Sequence, residues 1–325
     1  MSGLRAPAVA GSFYPGRPAA LAAAVEGYLA AAAAPAADPA ENPADAADAA
    51  DAVPKAVIVP HAGYVYSAPV AAAAYARLAP LAGRVRRVVL LGPAHTVHLD
   101  AVAAPRAAAF DGPLGALAVD RDALAGLDDL PQVVFDDRPH AREHALEVQL
   151  PFLQTVLGAV ALVPLVVGEV APDAVAQVIE RLWGGRETLI LVSTDLSHYR
   201  PYAAARARDA ATARAIEALD GARIGPEDAC GCRALAGLLA VARARGLKIA
   251  RLDLRSSGDT AGPKDQVVGY GAWALYERER GRGEIVPHAL PGRARQDPGP
   301  RPRDLETAQL GEAAFGLSGR RAGRL

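Results

Sequence analysis

A chain of 325 residues that is 51% hydrophobic and 22% charged, with a formal net charge of -1, has the make-up of an ordinary globular protein with apolar surface enough for one large core. Arginines and acidic residues alternate along it without a basic stripe, which argues against nucleic-acid binding. No uninterrupted run of about 18 strongly apolar residues offers a membrane span, and Met1 to Pro7 lack the charged-then-apolar order of a secretory signal, so a cytoplasmic protein without a membrane partner is expected.

In chain order, the first expected helix is Pro18–Ala33. It runs into a segment from Ala31 to Val53 built of Ala, Asp and Pro with scattered Glu and Asn. That segment has little to bury against the entropy of ordering and is expected to be a flexible insertion. Short β-branched runs then alternate with longer amphipathic ones, the pattern of strands connected by helices in a largely parallel sheet. Strands are expected at Ala56–Pro60, Arg87–Gly92, Ala161–Val167, Thr188–Thr194, Ile249–Leu254 and Val267–Tyr276. The helices between them are Ser67–Leu78, Glu143–Leu157, Pro172–Trp183, Tyr202–Leu219 and Arg233–Arg245. Ser67 is placed to cap the second helix, Gly158 to close the third, and Pro151 to kink or break it. From about Arg278, Arg, Gly and Pro dominate, and residues 278–325 are expected to be a disordered tail outside an α/β domain of residues 4–277. Neither the dinucleotide fingerprint nor the phosphate-loop pattern occurs.

Three of these strands run into polar residues of the kinds that bind metals or move protons: Val57-Ile58-Val59-Pro60-His61, Leu90-Leu91-Gly92-Pro93-Ala94-His95, and Ile190-Leu191-Val192-Ser193-Thr194-Asp195-Leu196-Ser197-His198. One strand-end histidine is usually a polar loop residue. Three in one topological position are harder to dismiss, because the carboxyl ends of parallel strands share an edge where ligands bind. His144, in Glu143-His144-Ala145-Leu146-Glu147, reads equally as a helix cap or as a group behind the site. His98 and His140 are expected in polar surface loops and His288 in the tail. The two cysteines, Cys230 and Cys232, are too close for a structural disulfide. Cys232 reads as a small core residue facing Leu235 and Ala236. Cys230, before Gly231 at a helix start where free amides favour a thiolate, is as much a ligand candidate as not.

Together the segments Ala8-Val9-Ala10-Gly11-Ser12-Phe13-Tyr14-Pro15, Pro60-His61-Ala62-Gly63-Tyr64, Leu91-Gly92-Pro93-Ala94-His95, Glu143 to Pro151, Ser193 to Tyr199 and Cys230-Gly231 resemble the Memo family, whose bacterial members are also called AmmeMemoRadiSam system protein B. The resemblance spans roughly residues 4 to 277 apart from the insertion. It implies a single α/β domain of the class III extradiol dioxygenase kind, with a mostly parallel or mixed central sheet flanked by helices on both faces. In those enzymes two histidines and a carboxylate hold ferrous iron with positions open for oxygen and substrate. By position His61 and His95 match the histidine ligands, Cys230 stands in place of the carboxylate, and His198 matches the acid/base. The resemblance thus implies a metal site of His61, His95 and Cys230, with His198 and Asp195 exchanging protons and Tyr64, His144 and Glu143 behind the ligands. A thiolate makes the site softer and favours copper(I) beside thiolate-tolerant iron. Fe(2+) is the expected metal, copper the next. The implied activity is a non-haem metal-dependent oxidoreductase acting on an unidentified small molecule. The alternatives are a non-catalytic metal-binding, peptide-binding or docking module serving protein partners of the AmmeMemoRadiSam system, and, less in keeping with a thiolate site, metal-assisted hydrolysis.

Overall fold

Five strand runs of the sequence are so apolar that each must be covered on both faces, and their placement organises the molecule. The computed structural model describes residues 3–33 and 53–277. Most of the segment expected to be flexible over 31–53, and the tail from 278 with His288, lie outside those residues. Ala31 to Ala33 are the last turn of a helix, so that segment begins later than its composition suggests.

In chain order the elements are β1 (Leu4–Arg5), α1 (Pro18–Ala33), β2 (Ala56–Val59), α2 (Tyr64–Ala76), β3 (Arg87–Pro93), β4 (Val102–Ala104), β5 (Ala109–Phe110), β6 (Leu117–Ala118), α3 (Arg121–Ala125), β7 (Val133–Phe135), α4 (Arg138–Ala141), α5 (Leu150–Leu157), β8 (Ala161–Val167), α6 (Pro172–Arg181), β9 (Thr188–Ser193), α7 (Tyr202–Glu217), α8 (Cys232–Arg245), β10 (Lys248–Ser256), α9 (Ser257–Thr260) and β11 (Gly269–Tyr276). Among the described residues eight strands form one sheet in the order β10-β11-β2-β9-β3-β8-β4-β7, and β1, β5 and β6 form a small second one. Every residue of β2, β9 and β11 is buried. Helices α1, α2 and α5 pack together, while α6 packs on α8, which lies against β3 and β9. No helix among the described residues is long and apolar enough to cross a membrane.

The sheet is mixed. Strands β2, β9, β3 and β8 run parallel, but β10 and β11, β11 and β2, and β4 and β8 pair antiparallel. The connection from β10 to β11 holds only the single turn α9, and the chain turns back on itself there. The short elements β1, β4 to β7, α3 and α4 escaped the sequence because two to five residues are too few to show a period.

Two local expectations are corrected. Ser67 lies inside α2, which starts at Tyr64; its hydroxyl donates back to the Ala62 carbonyl at 2.8 Å and caps nothing. The helix expected from Glu143 begins at Leu150, after a 3-10 turn at Glu147–Gln149, and Pro151 sits in its first turn, where the missing N–H is no loss. Gly158 does close that helix, at φ 77°. The consequence reaches the site: Glu143 and His144 stand on irregular chain, free to turn inward.

Candidate metal centre

The order β2-β9-β3 puts three parallel strands side by side, so their carboxyl ends share one edge. His61 follows β2, His95 follows β3, and Asp195 and His198 follow β9. Cys230 arrives from the far side of the chain, on the loop leading into α8. Its sulfur and one ring nitrogen each of His61 and His95 lie within 4.8 Å of one another. His61 is buried, Cys230 half-buried, and the His95 side chain 28% exposed, so the cluster opens toward solvent on the His95 side.

Hydrogen bonds decide which nitrogen of each ring is free. Ser193 Oγ donates its only proton to the Ala145 carbonyl at 2.7 Å, and it accepts from Gln149 Nε2 at 2.9 Å. At 2.8 Å from the same oxygen, His61 Nδ1 must therefore carry a hydrogen. Its Nε2 is left as a lone pair, 3.3 Å from Cys230 Sγ. At His95 a carboxylate does the same work: Glu143 accepts from His95 Nδ1 at 2.8 Å, from the His95 amide at 2.7 Å and from the Ala145 amide at 2.9 Å. Burial alone would raise Glu143, but these donors hold it below the usual carboxylate range. Both imidazoles thus present Nε2 as an acceptor, the form in which histidine binds a metal.

Burial keeps His61 and Cys230 uncharged. Loss of water, reinforced by the neighbouring histidines, holds His61 well below its ordinary value, and burial pushes the Cys230 thiol up to about 12. The thiolate expected from a helix start is thereby corrected: α8 begins two residues later, and desolvation outweighs the amides. The thiol instead keeps its proton, with His61 Nε2 at 3.3 Å and the Asp195 carbonyl at 3.6 Å as its acceptors. Asp195 N–H donates to Sγ at 3.3 Å and would support a thiolate once a cation replaced the proton.

Asp195 is buried, raised to about 7 by loss of water, and accepts the His61 amide at 2.7 Å. Its carboxylate fastens the end of β9 to the end of β2. His198 is half-buried and held below its ordinary value by burial. His144 stacks on His95 with centroids 4.7 Å apart and meets His61 edge-on at 5.5 Å. Tyr64 is turned away into the core, its hydroxyl donating to the Val148 carbonyl at 2.7 Å. Cys232 is buried, and His98 is exposed beside Asp100. His140 is not at the surface: it is 1% exposed and bonds the Ala103 carbonyl through Nε2 at 3.0 Å. The sequence reading missed it because α4, which carries it, is a single turn.

Also missed were Ser193, Gln149 and Glu147. Gln149 bridges the Pro60 carbonyl and Ser193 and accepts from Tyr75. Buried Glu147 gathers the N-terminal segment through Arg5, the amides of Ala8 and Val9 and the Tyr14 hydroxyl. The available signal for the last two was their polarity inside the otherwise apolar stretch Ala145 to Leu153.

A family model described as "Memo-like protein" matches residues 5–274. Among curated proteins, a MEMO1 family protein of Sulfolobus acidocaldarius is 34% identical over 289 residues, covering 82% of this chain and 97% of its own length. A second, from Methanopyrus kandleri, is 36% identical over 284 residues with the same coverage. A third, from Saccharolobus solfataricus, is 36% identical over 228 residues, covering 66% of this chain and 80% of its own. An uncharacterized protein of Escherichia coli K12 of known crystal structure matches with a TM-score of 0.41 and 12% identity, over 66% of this chain and 98% of its own, too slight a likeness to bear on the site.

Proposed function

The chain belongs to the Memo family, and from that premise we propose that it is a metal-binding protein acting as a non-haem, Fe(2+)-dependent oxidoreductase on a small molecule, with copper the alternative metal. The observation that carries this reading is the donor set: two imidazoles whose Nδ1 hydrogens are tied to Ser193 and Glu143, leaving both Nε2 lone pairs free beside a thiol. The residues fit such a group. His61, His95 and Cys230 would hold it, and three protein ligands, where a structural site commonly has four, leave positions for an exogenous ligand. Bound there, iron(II) supplies one-electron chemistry toward that ligand.

The chain's own share is orientation and proton handling. Ser193 and Glu143 fix the ring tautomers, and the buried walls exclude water from His61. A metal held there would take the place of the Cys230 proton. His198, kept neutral by burial near the ordinary pH of cells, can accept a proton at its imidazole from a bound small molecule and return it. Asp195 holds the His61 loop against β9. The thiol itself favours a second reading, a non-catalytic module that holds copper(I) or docks a partner of a radical SAM system, since a soft donor suits storage and transfer of a soft metal.

The variant His198→Ala separates these readings. In an enzyme it should keep metal affinity within about a few-fold while losing about 10²–10⁴-fold in turnover, read by elemental analysis after anaerobic purification and by oxygen uptake over a panel of catechols and other small molecules. Loss of the metal would make His198 a ligand. Retention of both metal and every measured activity would leave the binding module.

A further inference from the structure

Among the described residues large apolar side chains exposed to water are few, and most of them follow the strand ends that carry the ligand candidates. They are Leu4, Val65, Tyr66, Val97, Val134 and Tyr199. Val65 and Tyr66 lie on the first turn of α2 just beyond His61, Val97 two residues beyond His95, and Tyr199 immediately after His198. Four of the six therefore sit on the chain that leaves β2, β3 and β9 at the edge where the ligand candidates meet. Phe13 faces the same region, its ring 4.8 Å from that of His144, and both its carbonyl and the Tyr66 ring border Gly63.

Tyr199 is the most telling of them. Its φ is 53°, a left-handed conformation that is costly for a bulky L residue. The conformation is imposed from both sides. Before it, the Leu196 amide donates to the Gly269 carbonyl and the Gly269 amide to the Ser197 carbonyl; after it, Arg200 and Val267 exchange backbone bonds. Yet the residue stays 72% exposed, and the ring it meets is that of His198, at 5.9 Å. Glycine or asparagine would take this backbone with less strain. Strain of this kind is often kept where a site uses it.

We propose that Val65, Tyr66, Val97 and Tyr199, with Phe13, form an apolar rim that receives the body of the ligand whose head binds the metal, and that Tyr199 is its specificity-determining residue. The substrate class is then an organic molecule that carries, beside the head that meets the metal, an extended apolar body of at least aromatic size. The inference rests on the metal-centre reading above and adds what lies beyond the metal.

The test uses the full chain loaded with cobalt(II), whose absorption reports both the thiolate and any added ligand, and three probes with one chelating head: acetohydroxamate, benzohydroxamate and 2-naphthohydroxamate. Affinity should rise along the series, the naphthyl probe binding about 10- to 100-fold more tightly than the methyl one. In Tyr199→Gly and Tyr66→Ser the gradient should flatten, with acetohydroxamate affinity within about two-fold of wild type. Tyr199→Gly should in addition unfold at the same or a higher temperature, since it sheds the backbone strain. Equal affinity for the three probes in the wild type, or an unchanged gradient in Tyr199→Gly, overturns the rim. If acetohydroxamate fails to perturb the cobalt spectrum at all, the open metal centre itself fails and the rim with it.

Discussion

His61 and His95 reach the same chemical state by different means, one through a hydroxyl whose proton is already committed and the other through a buried carboxylate. Removing either partner should loosen the ring and free the wrong tautomer. Glu143→Gln is therefore expected to weaken metal binding by about 10–100-fold, and Ser193→Ala by a similar factor, measured by competition with a chelator. The thiols should differ sharply. Cys230→Ser should remove most bound metal, whereas Cys232→Ser, which alters a buried residue outside the cluster, should change occupancy little. The reverse order would place the ligand two residues on and undo the assignment. The candidate ligands were legible as residue types in the sequence. Ser193, whose role depends on where a single hydrogen points, was not.

The junction of α8 with β9 decides where Cys230 stands. A Cβ on Gly231 would come within 2.8 Å of Thr194 Cβ and 2.9 Å of the Ser193 carbonyl oxygen, so the helix can approach the strand end only through a glycine. Its backbone, at φ -90°, is open to any residue; space, not conformation, excludes a side chain. Gly231→Ala should accordingly cost about 1–3 kcal/mol in chemical denaturation and should lower metal affinity as well, because Cys230 moves with the helix start. A variant of unchanged stability and unchanged affinity would show that α8 is free to shift and that this contact does not set the sulfur. α1, α6 and α8 were visible from their period and boundaries to within a residue or two, whereas the helix expected from Glu143 was not, since an irregular stretch that turns polar groups inward has no period to read.

Across the whole molecule, buried neutral histidines link folding to pH. Burial depresses His140 from 6.5 to about 4, and His61 is depressed by the same cause. Below the unfolded value the unfolded chain takes up a proton that the folded chain refuses, so the contribution is complete above about pH 6.5 and is lost as pH falls toward 4. For His140 alone the loss is on the order of 3 kcal/mol. The metal-free protein should lose urea resistance from pH 7 to pH 4.5, and His140→Gln should show a shallower loss over that interval whatever its stability at pH 7. Equal slopes in the two proteins would mean that His140 opens to water before it titrates.

The apolar runs of β2, β3, β8 and β9 by themselves determined that this is an α/β protein with a central sheet covered on both faces, because runs without alternation cannot leave either face in water. They also put histidines and an aspartate at the ends of three of those strands. Which strands neighbour one another, and in which direction, is not a local property; only the order β2-β9-β3 brought those ends to one edge. Tertiary structure likewise decided that Cys230 meets His61 across 169 residues of chain, that Tyr64 turns into the core while Glu143 turns to the site, and that Tyr199 is held in a conformation its own side chain opposes. Each of these depends on long-range hydrogen bonds and close packing, which a residue's neighbours in sequence do not encode.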